Sequence, residues 1–113
     1  MADRVSKGAR ASAVRSSAPS LANVRHHRAE LLALALRSGI TGISVFGSVA
    51  RGASTESSDI DLLVDADPET SYFTLASFAL EAEALLGHPV DAVFRSGLRA
   101  RRDDSLLRDE VPL

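Results

Sequence analysis

Hydrophobic and polar positions along the chain change period from one segment to the next. From Leu21 to Arg37, Val24, Arg28, Leu31, Leu32, Ala35 and Leu36 recur at steps of three and four. That spacing predicts a helix, with Ser20 as its N-cap and Gly39 beyond its end. Ile43 to Phe46 is β-branched and aromatic between Gly42 and Gly47, and reads as a short buried strand. Ile60-Asp61-Leu62-Leu63-Val64 and Val90-Asp91-Ala92-Val93-Phe94 read as two more strands, each carrying an acid. The intervening helix runs from about Pro68 or Ser71 to Leu86, with Asp67 and Pro68 as a start signal and Gly87 as its stop. Its broad apolar face takes in Tyr72, Phe73, Leu75, Ala76, Ala79, Leu80, Ala82 and Leu86. Tyr72 reads as core edge. Leu98 to Asp109 reads as a last, arginine-rich helix. The order is helix, strand, loop, strand, helix, strand, helix. It predicts an α/β (α+β) domain, a small mixed sheet with helices packed on it, over residues 21–113. Residues 1–20, rich in Ala, Ser and Arg, read as a disordered basic tail.

At 113 residues the chain is long enough for one domain with its own core. It has no cysteine, which excludes disulfides and thiolate metal sites. No apolar run approaches the ~18 residues of a membrane span, and no secretory signal is evident, so a cytoplasmic protein is expected. The net charge of −2 hides an asymmetry, because residues 1–28 carry +5 and residues 29–94 carry −8. The basic start reads as a solvated tail with at most weak contact to nucleic acid. The acidic middle is where a cation is needed.

Side chains on a strand alternate between faces. Asp59 and Asp61 therefore project to one side, and Ile60, Leu62 and Val64 to the other, toward the core. Two carboxylates this close repel unless a cation lies between them, and Mg²⁺ is the hard cation that prefers carboxylate and phosphate oxygen. A lone acid inside the apolar run at Val90–Phe94 is costly to bury, so Asp91 belongs with the same pair if its strand lies alongside. Gly47 and Ser48 follow a strand directly, which is a common setting for phosphate, and Arg51 adds a cation that can fork onto phosphate oxygens. Asp65 and Asp67 are explained by turn and capping duties. His26 and His27, adjacent on a helix, point about 100° apart and read as surface residues rather than joint ligands of one metal.

Gly47-Ser48, ten residues, then Asp59-Ile60-Asp61 resembles the signature of the DNA polymerase beta-like nucleotidyltransferases. The resemblance is greatest to the minimal nucleotidyltransferases, often the antitoxin half of HEPN/MNT toxin–antitoxin pairs, and covers roughly residues 40–94. Many of those relatives carry a basic residue where this chain has Val49, which leaves Arg51 as the cation of the loop. The resemblance implies the nucleotidyltransferase fold. It implies catalytic and metal-binding roles for Asp59, Asp61 and Asp91 around two Mg²⁺ ions, and nucleotide-binding roles for Gly47, Ser48 and Arg51. It further implies transfer of AMP from ATP to a hydroxyl, with a tyrosine of a HEPN ribonuclease toxin as acceptor. Two other functions remain open at this point: a small-molecule nucleotidyltransferase with a separate helical subunit, and a non-catalytic antitoxin that neutralises by binding. So short a domain is expected to take its acceptor surface from a partner or a second copy.

Overall fold

A computed structural model describes residues 18–97 and 108–113. The element order is α1 (Leu21–His26), α2 (Arg28–Arg37), β1 (Ile40–Phe46), α3 (Gly47–Arg51), β2 (Ile60–Ala66), α4 (Tyr72–Leu86), β3 (Val90–Phe94) and β4 (Val111–Pro112). The expected tail, up to Ser17, and most of the expected helix at Leu98–Asp109 lie outside the described residues.

Ser20 caps α1 as expected, its hydroxyl accepting from the Asn23 amide at 3.0 Å. The single helix expected over Leu21–Arg37 is instead two, divided at His27. The His27 ring bonds the Asn23 carbonyl at 3.0 Å, and the His27 amide turns to the Val24 carbonyl at 3.1 Å. A side chain has taken the acceptor that the regular ladder would have used, and the turn tightens there. His27 thus has a structural role and His26 is exposed. At α4 the cap is Ser71, which accepts from the Thr74 amide at 3.1 Å. Asp67 closes the turn before it, accepting from the Glu69 amide at 3.0 Å, so Pro68 lies in that turn and does not start the helix.

The strands form one sheet in the order β3-β2-β1-β4. β1 and β2 are antiparallel, with Val45 opposite Leu62 and Phe46 opposite Asp61. β2 and β3 are parallel, which makes the sheet mixed as expected. β4 was not anticipated. It pairs antiparallel with the outer edge of β1, with Val45 opposite Val111. Pro112 fits there because an edge strand need not donate on both sides.

One face of the sheet carries the core. Ile43, Val45, Ile60, Leu62 and Val64 pack with Val24, Leu31 and Ala35 of α1 and α2 and with Leu75, Phe78, Ala82 and Leu86 of α4. Ile60, Leu62 and Val64 therefore face the core as their period required. The opposite face is not bare, since Phe46 and Leu63 are buried there and Val93 packs against them. The expected α4 face was too wide. Tyr72, Phe73 and Leu80 are 76%, 82% and 68% exposed, and Leu36 of α2 is 79% exposed. Tyr72 meets Phe94 edge-on at 5.2 Å but is not core edge. Phe78 is fully buried at the helix–sheet interface. Phe78→Ala is expected to lower the unfolding free energy by about 3–5 kcal/mol, read by urea denaturation. Among the described residues no helix is long and apolar enough to cross a membrane.

Candidate active site

β1 ends at Phe46, and the next residue begins α3 without an intervening loop. That abrupt change of direction requires a left-handed backbone at Gly47, where φ is +74°. Only glycine takes this conformation without strain. Close approach matters as much as the turn. A Cβ on Gly47 would overlap the Oδ2 atom of Asp61 and lie 3.2 Å from its Cγ. The Asp61 carboxyl is therefore seated against the Gly47 backbone. Ser48, half-buried, follows in the first turn of α3. Gly52, with φ +73°, ends the helix, and its amide donates to the Val49 carbonyl at 3.2 Å.

The ladder brings the acids together. Asp61 lies opposite Phe46 on one side and beside Asp91 on the other. Asp91 thus lies beside Asp61 as expected, but it is exposed, so the cost of burying a lone acid is not what places it there. Asp59 is exposed just ahead of β2, whose first amide, at Ile60, donates to the Pro89 carbonyl at 2.9 Å. The Asp61 carboxyl has its pKa pushed up to about 6. Burial is the main cause, repulsion from Asp91 and then Asp59 adds to it, and the Arg51 charge opposes it. Four ionisable side chains thus act on one another at this end of the sheet.

The chemistry of the donor set fits a hard divalent cation, because the acids are all carboxylates and the half-buried one, Asp61, is crowded by like charge. As they stand, no group of three His, Cys, Asp or Glu side chains among the described residues converges closely enough to hold an ion.

Arg51 lies near the acids but is engaged elsewhere. Its Nη1 is 3.6 Å from Asp109 Oδ2, and both side chains are partly exposed. Asp109 is missed from sequence because it falls in the arginine-rich stretch that reads as a helix, where nothing local signals its pairing with Arg51. The loop between α3 and β2 is tied down at both ends. The Ser54 hydroxyl donates to the carbonyl of the fully buried Pro19, and the Thr55 amide donates to Ser58 Oγ at 2.8 Å.

A second charged constellation occupies the far end of the same strands. Arg95 donates to Asp65 at 2.6 Å and to Glu110 at 2.9 Å, and the buried Ser44 hydroxyl donates to Glu110 at 2.6 Å. The bonds to Glu110 and Asp65 raise the Arg95 pKa, and the bond from Arg95 holds the Glu110 carboxyl below its ordinary range. This corrects the reading of Asp65 as a turn residue: it lies within β2 and pairs with Arg95. Asp67 does close a turn. A cleft of about 520 Å³ beside this network is lined by Thr41, Asp65, Asp67, Thr70, Phe94 and Arg95, among others, and holds none of the three acids singled out above.

Residues 25–111 match the Nucleotidyltransferase domain family. The chain is 40% identical over 75 residues to the protein adenylyltransferase MntA of Thermococcus cleftensis, covering 66% of this chain and 76% of that one. Its fold is similar to a solved minimal nucleotidyltransferase, with a TM-score of 0.72 at 40% identity, over 83% of this chain and 96% of that one. It is also similar to a chain of a toxin–antitoxin crystal structure with AMP-PNP, with a TM-score of 0.52 at 25% identity, over 58% and 55% of the two chains.

Proposed function

Because the chain belongs to the Nucleotidyltransferase domain family, among the minimal nucleotidyltransferases, we propose that it transfers AMP from ATP to a tyrosine hydroxyl of a HEPN ribonuclease toxin and so acts as its antitoxin. The observation that carries this reading is the seating of Asp61 between the Gly47 backbone and Asp91, with Asp59 and Arg51 in electrostatic reach. The relatives named for protein adenylyltransfer and for a toxin–antitoxin complex with AMP-PNP support the donor and the kind of acceptor.

In this reading the backbone at Gly47 and the Ser48 hydroxyl hold the β- and γ-phosphates, and Arg51 adds a charge-assisted bond to them. The acceptor oxygen attacks the α-phosphorus. The new oxygen–phosphorus bond forms as the bond from the α-phosphorus to the bridging oxygen breaks, and pyrophosphate leaves with that electron pair. The hydroxyl proton goes to the Asp91 carboxylate, the more exposed of the two paired acids. Asp59, Asp61 and Asp91 would hold Mg²⁺, which when bound supplies the neutralising charge such a transfer needs. The protein would act in the cytoplasm, where ATP and the ribonuclease are both present.

The test incubates the full chain with Mg²⁺, α-labelled ATP and the HEPN ribonuclease proposed as its partner. The expected result is a mass gain of one or more AMP units on a ribonuclease tyrosine, lost with Asp59→Asn. No transfer, together with a tight complex that still silences the ribonuclease, would overturn catalysis in favour of neutralisation by binding.

A further inference from the structure

The exposed side of α4 has the make-up of an interface. Successive helical residues turn by about 100°. Phe73, Ala76, Leu80 and Ala84 therefore fall on one stripe, opposite the buried Leu75, Phe78, Ala82 and Leu86. All four are exposed, Phe73 at 82% and Leu80 at 68%. The stripe extends roughly 16 Å along the helix. Single exposed apolar residues are ordinary, but an aromatic and an aliphatic anchor aligned with two alanines make a continuous apolar strip. Glu81 and Glu83 flank it, each about 80° round the helix from Phe73 and on opposite sides.

The charge around the strip selects its occupant. Glu81 and Glu83 are the charged residues of α4, which has no lysine or arginine to offset them. A second copy meeting this strip through a two-fold axis would set Glu81 and Glu83 against their own counterparts, and like charges facing each other oppose that arrangement. A basic surface does not meet that repulsion. The strip lies on the side of α4 away from the sheet, and Asp61 and Asp91 project from the opposite sheet face, so a partner held there reaches the acids past the short turn from α4 to β3. α4 ends at Leu86, and four residues after it β3 begins at Val90, with Asp91 next.

We propose that the Phe73–Ala84 strip of α4 is the docking surface for the acceptor protein, which meets it with an apolar patch ringed by lysine or arginine. This rests on the adenylyltransfer reading above and adds the surface by which the acceptor is held. Phe73 and Leu80 are the anchors, and the glutamates set orientation and association rate.

The test uses the full chain and the ribonuclease named above. Phe73→Ala with Leu80→Ala is expected to weaken the complex at least tenfold, and Glu81→Lys a few-fold, with the wild-type affinity falling as salt rises. Because these side chains are exposed, the variants should keep the wild-type Tm. In transfer assays the double variant should raise the KM for the ribonuclease and leave kcat within two-fold. Unchanged affinity and KM would overturn the docking surface while leaving the transfer reading intact. Weakened binding without transfer by the wild type would support the surface and overturn the catalytic reading. A wild-type self-association abolished by the double variant would assign the strip to a second copy and overturn the proposal.

Discussion

Gly47→Ala is expected to reduce nucleotidyl transfer at least a hundredfold and to destabilise the fold at the same time. Two independent demands meet at this residue. Its φ of +74° is one that a residue with a Cβ rarely adopts, at a cost of about 1–3 kcal/mol. The added methyl group would also occupy the place of Asp61 Oδ2. The carboxyl sits on a buried strand between two paired neighbours, so the side chain must rotate away or the strand–helix junction must shift. Either outcome moves the proposed catalytic carboxyl by about 1 Å, a displacement of the size that can cost 10²-fold in rate. Gly52→Ala is the matched control. Its φ is +73°, yet nothing lies within 4 Å of a Cβ placed there. It should show the backbone strain without the clash, losing stability by about 1–2 kcal/mol and keeping transfer within a few-fold. Thermal melts and single-turnover transfer on the two variants separate strain from misplacement. Equal transfer by both would mean that the contact with Asp61 has no part in the chemistry.

The acids of the site were legible in the sequence because two constraints coincide there. Period-two alternation puts Asp61 on the face opposite Ile60 and Leu62, and the acid in the next apolar run marks the face of that strand that lies beside it. The parallel pairing of Asp61 with Asp91 satisfies both. Other features are decided by contacts that no local pattern carries. The division of the first helix depends on one imidazole bond to the Asn23 carbonyl. β4 has only two residues, too few to show a period, and is held by the edge of β1 and by the Leu113 amide on the Ile43 carbonyl at 2.9 Å. α4 is apolar almost all round, so periodicity alone could not separate the stripe holding Leu75 and Phe78 from the stripe holding Phe73 and Leu80. The pairing of Arg95 with Asp65 and Glu110 joins separate parts of the chain, and Asp65 read locally as the start of a turn.

Asp61→Asn should abolish transfer and yet raise the stability of the metal-free protein at neutral pH. The loss of transfer follows from removing the charge nearest the proposed phosphate site, and a drop of about 10²–10³-fold is expected, of the order seen when a preorganised electrostatic group is removed. The gain in stability follows from the pKa. Burial first, then Asp91 and Asp59, raise the Asp61 carboxyl from 3.8 to about 6. The folded state therefore holds a proton that the unfolded chain has already released. Between these two values stability falls as pH rises, and above about 6 the full penalty is present. Two pKa units correspond to about 3 kcal/mol, and partial exposure of the group reduces this to about 1–2 kcal/mol. Asparagine carries no charge to repel its neighbours. In EDTA the variant should exceed the wild type in Tm at pH 7.5, and the difference should vanish as pH falls toward 4. Adding Mg²⁺ should raise the wild-type Tm and leave the variant nearly unchanged. A variant less stable than the wild type at pH 7.5 in EDTA would mean that Asp61 is held by bonds to the surrounding fold, and that its crowding is not stored strain awaiting a cation.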